Sequence, residues 1–270
     1  MMALSDIRRQ PEEASMLRVR PIHFTSHLDQ WSRLLTVLGM VKTVDDGEWQ
    51  EFDAGSGRLA LRRADPGSAQ DGTTVFGVEV GDLDEFARRT NEAALEAEGA
   101  AGAEGADTPA AEAMAAVVDA DHGRSCRIRA RDGFSFFADP ASHGANCADA
   151  DPALTVVAVW FTEDTAGAAS TLRSSGARPR PVPDNDEPAD FTAKNGGVLM
   201  VRPGAAPGRA GLGFEYSGDL DSLRAQIESA GWDVAATEEA FGRTLQVPSP
   251  DAGTAAHHPA LWISGQRPGI

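Results

Sequence analysis

The feature that most constrains this chain is that it says one thing twice. "IHFTSHLD" (22–29) lies over "VWFTED" (159–164), with a shared Phe-Thr pair at Phe24-Thr25 and Phe161-Thr162. "GRLALRR" (57–63) lies over "GVLMVRP" (197–203), which places Arg62 over Arg202. "VEVGDLDEF" (78–86) lies over "FEYSGDLDSL" (214–223), which places Glu79 over Glu215. A repeat of this length constrains the architecture before any single motif does.

Each half reads as the same order of elements. "LRVRPIHFT" (17–25) has strand character. "LDQWSRLLTVLG" (28–39) is an amphipathic helix stopped by Gly39. "EWQEFDAG" and "GRLALRRA" form a hairpin, "TTVFGVEV" is a strand, and "DLDEFARRTNEAALEA" is a helix capped by Asp82. "AMAAVVDA", "RSCRIRARDG" and "FSFFADP" are three more strands. In the second half "LTVVAVWFTED" is a strand, followed by a helix ending at Gly176, a hairpin, the strand "AGLGFEYSG", a helix capped by Asp219, and closing strands through "PALWISG". Two segments stand apart. Residues 93–112 are almost all Ala, Glu and Gly; their start can extend the preceding helix and their middle predicts a mobile loop, and 176–190 predict a second loop rich in proline and acid.

Bulk properties exclude several classes. The net charge of -17 argues against binding nucleic acid through its phosphates. It is compatible with a cationic small ligand, because an acidic protein concentrates cations near its clefts. No run of eighteen apolar residues predicts a membrane span, and the polar N-terminus lacks the apolar stretch of a signal peptide. Cys126 and Cys147 make no disulfide framework and no metal-ligand spacing, so a reduced, cytoplasmic setting is expected. Nucleotide-binding glycine motifs, a nucleophile elbow and HExxH are absent, and no Ser/His/Asp set can be assembled. The adjacent His257 and His258 read as solvated loop residues.

Strand, helix and three strands, used four times, is the βαβββ module. The order of "RPIHFTSHLDQWSRLLTVLGM", "EWQEFDAGSGRLALRR", "VFGVEVGDLDEF" and "GFSFFADP", and its recurrence after residue 150, resembles the vicinal oxygen chelate superfamily, the glyoxalase/bleomycin-resistance/dioxygenase group. The resemblance implies an α+β fold of two tandem glyoxalase-like domains, near 1–150 and 151–270. It implies sheets that curl around a cavity, with helices on the outer face. Enzymes of the group hold a divalent metal in that cavity, and the resistance proteins sequester a drug without one. Carried onto this chain, the metal-ligand positions fall near Val19, Thr73 and Asn146, and near Val156, Val157 and Gly211. None is a good ligand for zinc, iron or manganese. No metal or other cofactor is therefore expected.

Strand alternation then nominates cavity residues. Ile22 and Phe24 are expected to face the helix, which leaves Val19, Pro21, His23 and Thr25 facing the cavity. The same parity brings Trp49, Glu51, Arg58, Arg62 and Glu79 into it. In the second half Trp160 takes the place of His23, with Phe191, Met200, Arg202, Glu215 (or Phe214) and Trp262 as further candidates. That second cavity reads as more apolar and filled by its own side chains. Structural roles stand beside each of these: Arg62 pairing Glu79 across the sheet, and the tryptophans filling core.

The expected function is metal-independent binding of a small molecule, by sequestration or sensing. The alternative is a lyase, isomerase or dioxygenase of the same group, with His23 or Glu79 as general base. The chain is expected as a monomer with a pseudo-dimeric pair of domains, or as a homodimer, with no nucleic-acid or membrane partner.

Overall fold

The computed structural model describes residues 16–100, 114–142, 148–180, 189–205, 208–239, 242–254 and 260–265. Asn146, Cys147, His257, His258 and most of the two predicted loops lie outside the described residues. The start of the Ala/Glu/Gly segment extends the preceding helix to Ala100, as its sequence allows.

Among the described residues four helices and three sheets form a mixed α+β fold. The second half is one eight-stranded sheet. Its centre is β11 (Leu154–Thr162), paired antiparallel with β15 (Arg209–Tyr216) over eight residues. On one side follow β14 (Val198–Pro203), β13 (Asp190–Thr192) and β12 (Arg178–Pro179). On the other lie β18 (Ala260–Gly265), β17 (Gly242–Pro248) and β16 (Ala235–Glu239).

The first half has the same neighbours, but its centre is broken in two. The single strand expected over 17–25 becomes β1 (Leu17–Val19) and β2 (Ile22–Thr25). Arg20 and Pro21 lie at the break, and proline has no N–H to give to a ladder. β1 pairs with β7 (Gly77–Val80), and that sheet continues through β10 (Ser135–Pro140), β9 (Gly123–Arg129) and β8 (Ala115–Ala120). β2 pairs with β6 (Thr74–Val75) and with β5 (Arg58–Arg63), then β4 (Trp49–Asp53) and β3 (Val41–Asp45).

The helices are α1 (Leu28–Val37), α2 (Leu83–Ala100), α3 (Thr165–Ser174) and α4 (Leu220–Ser229). Carboxylates start three of them, because unsatisfied N–H groups and the helix dipole favour an anion there. Asp82 accepts from Glu85 N, Asp164 from Gly167 N, and Asp219 from Asp221 N and Ser222 N. α1 buries Leu28, Trp31, Leu34 and Leu35, and α4 buries Leu220, Leu223 and Ile227. Both feed one hydrophobic cluster that runs through the two halves.

The halves are joined by reciprocal hairpin contacts. Ser56, in the β4–β5 turn, donates its N–H to Leu154 O (3.1 Å) and accepts from Val156 N (2.9 Å). In the mirror position Asn195 N donates to Leu17 O (2.8 Å), and Val19 N donates to Gly196 O (2.9 Å). Gly197 sits at φ +89°, and a Cβ there would overlap the Val19 side chain. Gly197→Ala is therefore expected to destabilise the protein by about 2–3 kcal/mol, from left-handed strain plus overpacking. A denaturant midpoint unchanged from wild type would refute this account of the junction.

Candidate functional site

Alternation gives each sheet a helix-facing side and an open side. In the first half Leu17, Val19, Phe52, Leu59, Val78, Val80, Cys126 and Ala138 belong to the hydrophobic cluster. Their neighbours Arg18, Arg20, Glu51, Asp53, Arg58, Glu79, Ser125 and Asp139 point the other way, and all are buried. The result is a closed ionic network. Arg58 bonds Asp53 (2.6 Å) and Glu79 (2.9 Å), approaches Glu51 (3.4 Å), and donates to Ser142 (2.8 Å). Arg18 bonds the other oxygen of Glu79 (2.5 Å). Arg20 pairs with Asp139, lies 3.4 Å from Glu51 and Glu79, and sits over the Trp49 ring. Burial opposes the charge on Arg58. The bond to Asp53 and the charges of Glu79, Asp53 and Glu51 outweigh it and hold its pKa above the ordinary value.

His122 extends this network: its Nε2 lies 3.0 Å from Asp139 Oδ1 and 3.1 Å from Ser125 Oγ. Ser125 itself donates to Asp139 (2.6 Å). One imidazole nitrogen serves both neighbours and the serine proton points at the carboxylate, so this is no nucleophile relay. Next to Ser125, the Cys126 thiol is buried and pushed up to about 11 by that burial, which leaves it inert.

His23 faces away from this network, which corrects the orientation expected for it. The parity set by Leu17 and Val19 continues through the break, so His23 and Thr25 lie on the helix side and Ile22 and Phe24 on the open side. The apolar character of Phe24 misled the assignment. It is covered instead by Arg62, whose guanidinium sits 5.9 Å from its ring. His23 stacks on Trp31 with ring centroids 4.5 Å apart. Its Nε2 meets Asp251 Oδ2 at 2.7 Å, and its Nδ1 meets Thr74 Oγ1 at 2.9 Å. Asp251 also accepts from Thr25 Oγ1 (2.5 Å) and Trp31 Nε1 (2.6 Å). Thr74, His23 and Asp251 thus form a hydroxyl–imidazole–carboxylate line. His23 and Asp251 are only 4% and 3% exposed, and Trp31 covers them. The line fastens a turn of the second half to the first.

Trp160 is likewise on the helix side. It stacks on Phe134 (4.6 Å, 26°) in a cluster with Phe76 and Phe136. Phe191 and Phe214 also belong to the hydrophobic cluster.

The open face of the second sheet is different in kind. Val157, Val159, Val198 and Met200 form a separate apolar floor, with Phe161 and Trp262 half-buried against it. The Trp262 ring lies so close over Gly213 that any Cβ there would strike it. Glu215 is bonded by Arg180 (2.8 Å), Arg202 by Asp190 (2.6 Å), and Arg209 lies 4.0 Å from the Phe161 centroid. Beside Val198 a cavity of about 460 Å³ opens at the junction of the halves. It is lined by Ser56, Thr155, Arg180, Thr192, Lys194 and Asn195, among others.

Of the residues nominated from sequence, Trp49, Glu51, Arg58 and Glu79 come together at the first-half network. Arg62 lies at the far end of β5 on Phe24, not paired with Glu79. Arg202 and Glu215 share the open face of the second sheet. Arg18, Arg20, Asp53, Asp139 and Asp251 were missed. The signal for the first two was present: basic residues at alternate positions in "LRVR", flanked by apolar ones.

The resemblance implies a divalent metal, and the residues present do not fit one. Val19 packs in the core, Thr73 Oγ1 donates to Gln70 O, and Gly211 lies under Phe161. The carboxylates that do converge are held by arginines. Among the described residues no group of three His, Cys, Asp or Glu side chains is placed to hold an ion.

No family model matches the sequence, and no curated protein matches it significantly. Solved structures do match. The Mn(II)-bound glyoxalase of Novosphingobium aromaticivorans is similar at 14% identity and a TM-score of 0.53, over 94% of this chain and 82% of that one. The 2,3-dioxygenase LapB of Pseudomonas sp. KL28 is similar at 13% identity and 0.52, over 92% and 91%. The 2,2',3-trihydroxybiphenyl 1,2-dioxygenase of Sphingomonas wittichii is similar at 16% identity and 0.51, over 94% and 91%. The mixed α+β arrangement of sheets and helices and these neighbours agree that the chain has the fold of the vicinal oxygen chelate superfamily.

Proposed function

We propose that this protein binds a small molecule without a metal, in the second half, on the open face of the eight-stranded sheet. One observation carries the reading: the cavity of about 460 Å³ lined by hydroxyl, amide and cationic groups, with Val198 of the apolar patch at its edge. Ligand sites combine an apolar wall with a few placed polar groups in this way. The corresponding face of the first half carries a network of buried, paired charges instead. The binding is sequestration or sensing, with the two halves of one chain packed as a pseudo-dimer near a boundary at residue 150. No described helix is long and apolar enough to cross a membrane.

A thermal-shift screen of small acids, amides and alcohols tests this, because a ligand bound only by the folded state raises the melting temperature. At least one compound class is expected to raise it, unaffected by chelator, and Lys194→Trp at the cavity mouth is expected to abolish the rise. Stoichiometric manganese, iron or zinc in protein purified without chelators, or a shift that needs added metal, would overturn the metal-independent reading.

A further inference from the structure

The lining of the second-half cavity is opposite in character to the protein around it. The chain carries 41 acidic and 24 basic residues, yet the ten residues that line the cavity include Arg180 and Lys194 and no Asp or Glu. The remaining polar groups are mostly free to donate. Asn195 accepts from Leu17 N through Oδ1, so its amide hydrogens are not committed to that bond. Ser56 Oγ accepts from Gly197 N, which leaves its own proton for another partner. Thr155 is only 7% exposed, and its hydroxyl makes no hydrogen bond among the described residues, although it lines the cavity. That hydroxyl lines the cavity and can donate to a group bound there. Arg180 bonds Glu215 at 2.8 Å.

Two cations plus several donors fit a group that only accepts hydrogen bonds and carries negative charge. We infer that the cavity takes the anionic head, carboxylate or phosphate, of a small ligand whose apolar body lies against Val198, at the edge of the apolar patch of Val157, Val159 and Met200. This deepens the proposed function and rests on it. Arg180 stays paired with Glu215 and presents its remaining N–H groups. Lys194, exposed at the mouth, supplies the second charge and draws the anion in against the field of an acidic protein.

The test is isothermal titration with benzoate, phenyl phosphate and the neutral isostere benzamide, at low and raised sodium chloride. One of the two anions is expected to bind about tenfold tighter than benzamide, and to weaken with salt. Which of the two prevails separates a carboxylate from a phosphate head. Lys194→Gln is expected to weaken the anions several-fold and leave benzamide unchanged. Arg180→Gln should do the same, but it strips Glu215 of its partner, so Lys194→Gln, at an exposed position, decides if that protein does not fold. Benzamide binding as tightly as the anions, no salt dependence, or unchanged affinity in Lys194→Gln overturns the anion inference and leaves the binding reading standing. Binding by none of the three overturns the inference as well, and the fragment screen then judges the binding reading by itself.

Discussion

Arg58→Met is expected to lower the stability of this protein by about 3–5 kcal/mol, the cost of removing one partner from a buried charge cluster. For a chain of this size that is a fall of roughly 10 °C in melting temperature. Arg58 is fully buried, and it touches Asp53, Glu51 and Glu79 at once. Methionine matches its bulk, so the loss reads mainly the carboxylates left without a cation. Glu79 keeps Arg18, and Glu51 keeps Arg20. Double-mutant cycles should show the coupling. Arg58→Met combined with Asp53→Leu is expected to recover part of the loss, because two buried partners removed together cost less than one removed alone. Equilibrium unfolding in urea reads both. A single-mutant loss below about 1 kcal/mol would mean that the network behaves like a solvated surface pair.

Much of the fold was legible because it rests on short-range rules applied twice. The order of elements, the caps at Asp82 and Asp219, and the alternation that put Leu59 and Leu61 inward and Arg58 outward all follow from local pattern. The break at Pro21 was also available, since a proline in a central strand argues against continuous pairing. The orientation of His23 was not. Its face is set by Leu17 and Val19 before the break, and by Asp251, which is 228 residues away in sequence. No local window holds that partner. The reversal between the halves was equally hidden. Sequence reading favoured the first cavity for its polar residues, but polar side chains that satisfy one another close a cavity.

The two halves therefore use one architecture in two ways. At matched positions Arg18 and Arg20 correspond to Thr155 and Val157, and Arg58 corresponds to Val198. In the first half these positions form ion pairs. In the second they form an apolar floor and a hydroxyl that lines the cavity. Both halves keep an acid at Glu79 and Glu215, each held by arginine.

Asp251→Ala is the second change with a large expected effect, about 3–5 kcal/mol. It leaves the Trp31 indole N–H, the Thr25 hydroxyl and His23 without their shared acceptor, and each buried donor left unsatisfied costs about 1–3 kcal/mol. Part of the loss is offset because His23 keeps Thr74 through its other ring nitrogen. The pH dependence separates this role from simple packing. Burial pushes the Asp251 carboxyl up, but the bond and charge of His23, with Thr25 and Trp31, hold it below the ordinary carboxylate value. A carboxyl depressed in the folded state stabilises that state above its unfolded pKa, about 3.9, and loses the contribution as pH falls through the lower folded value. Wild type and Asp251→Asn should therefore differ most near neutral pH, and converge as the solution is acidified below about pH 4. Thermal melts of both proteins across that range measure it. A difference that stays constant down to pH 3 would assign Asp251 a packing role and remove the charge from the account.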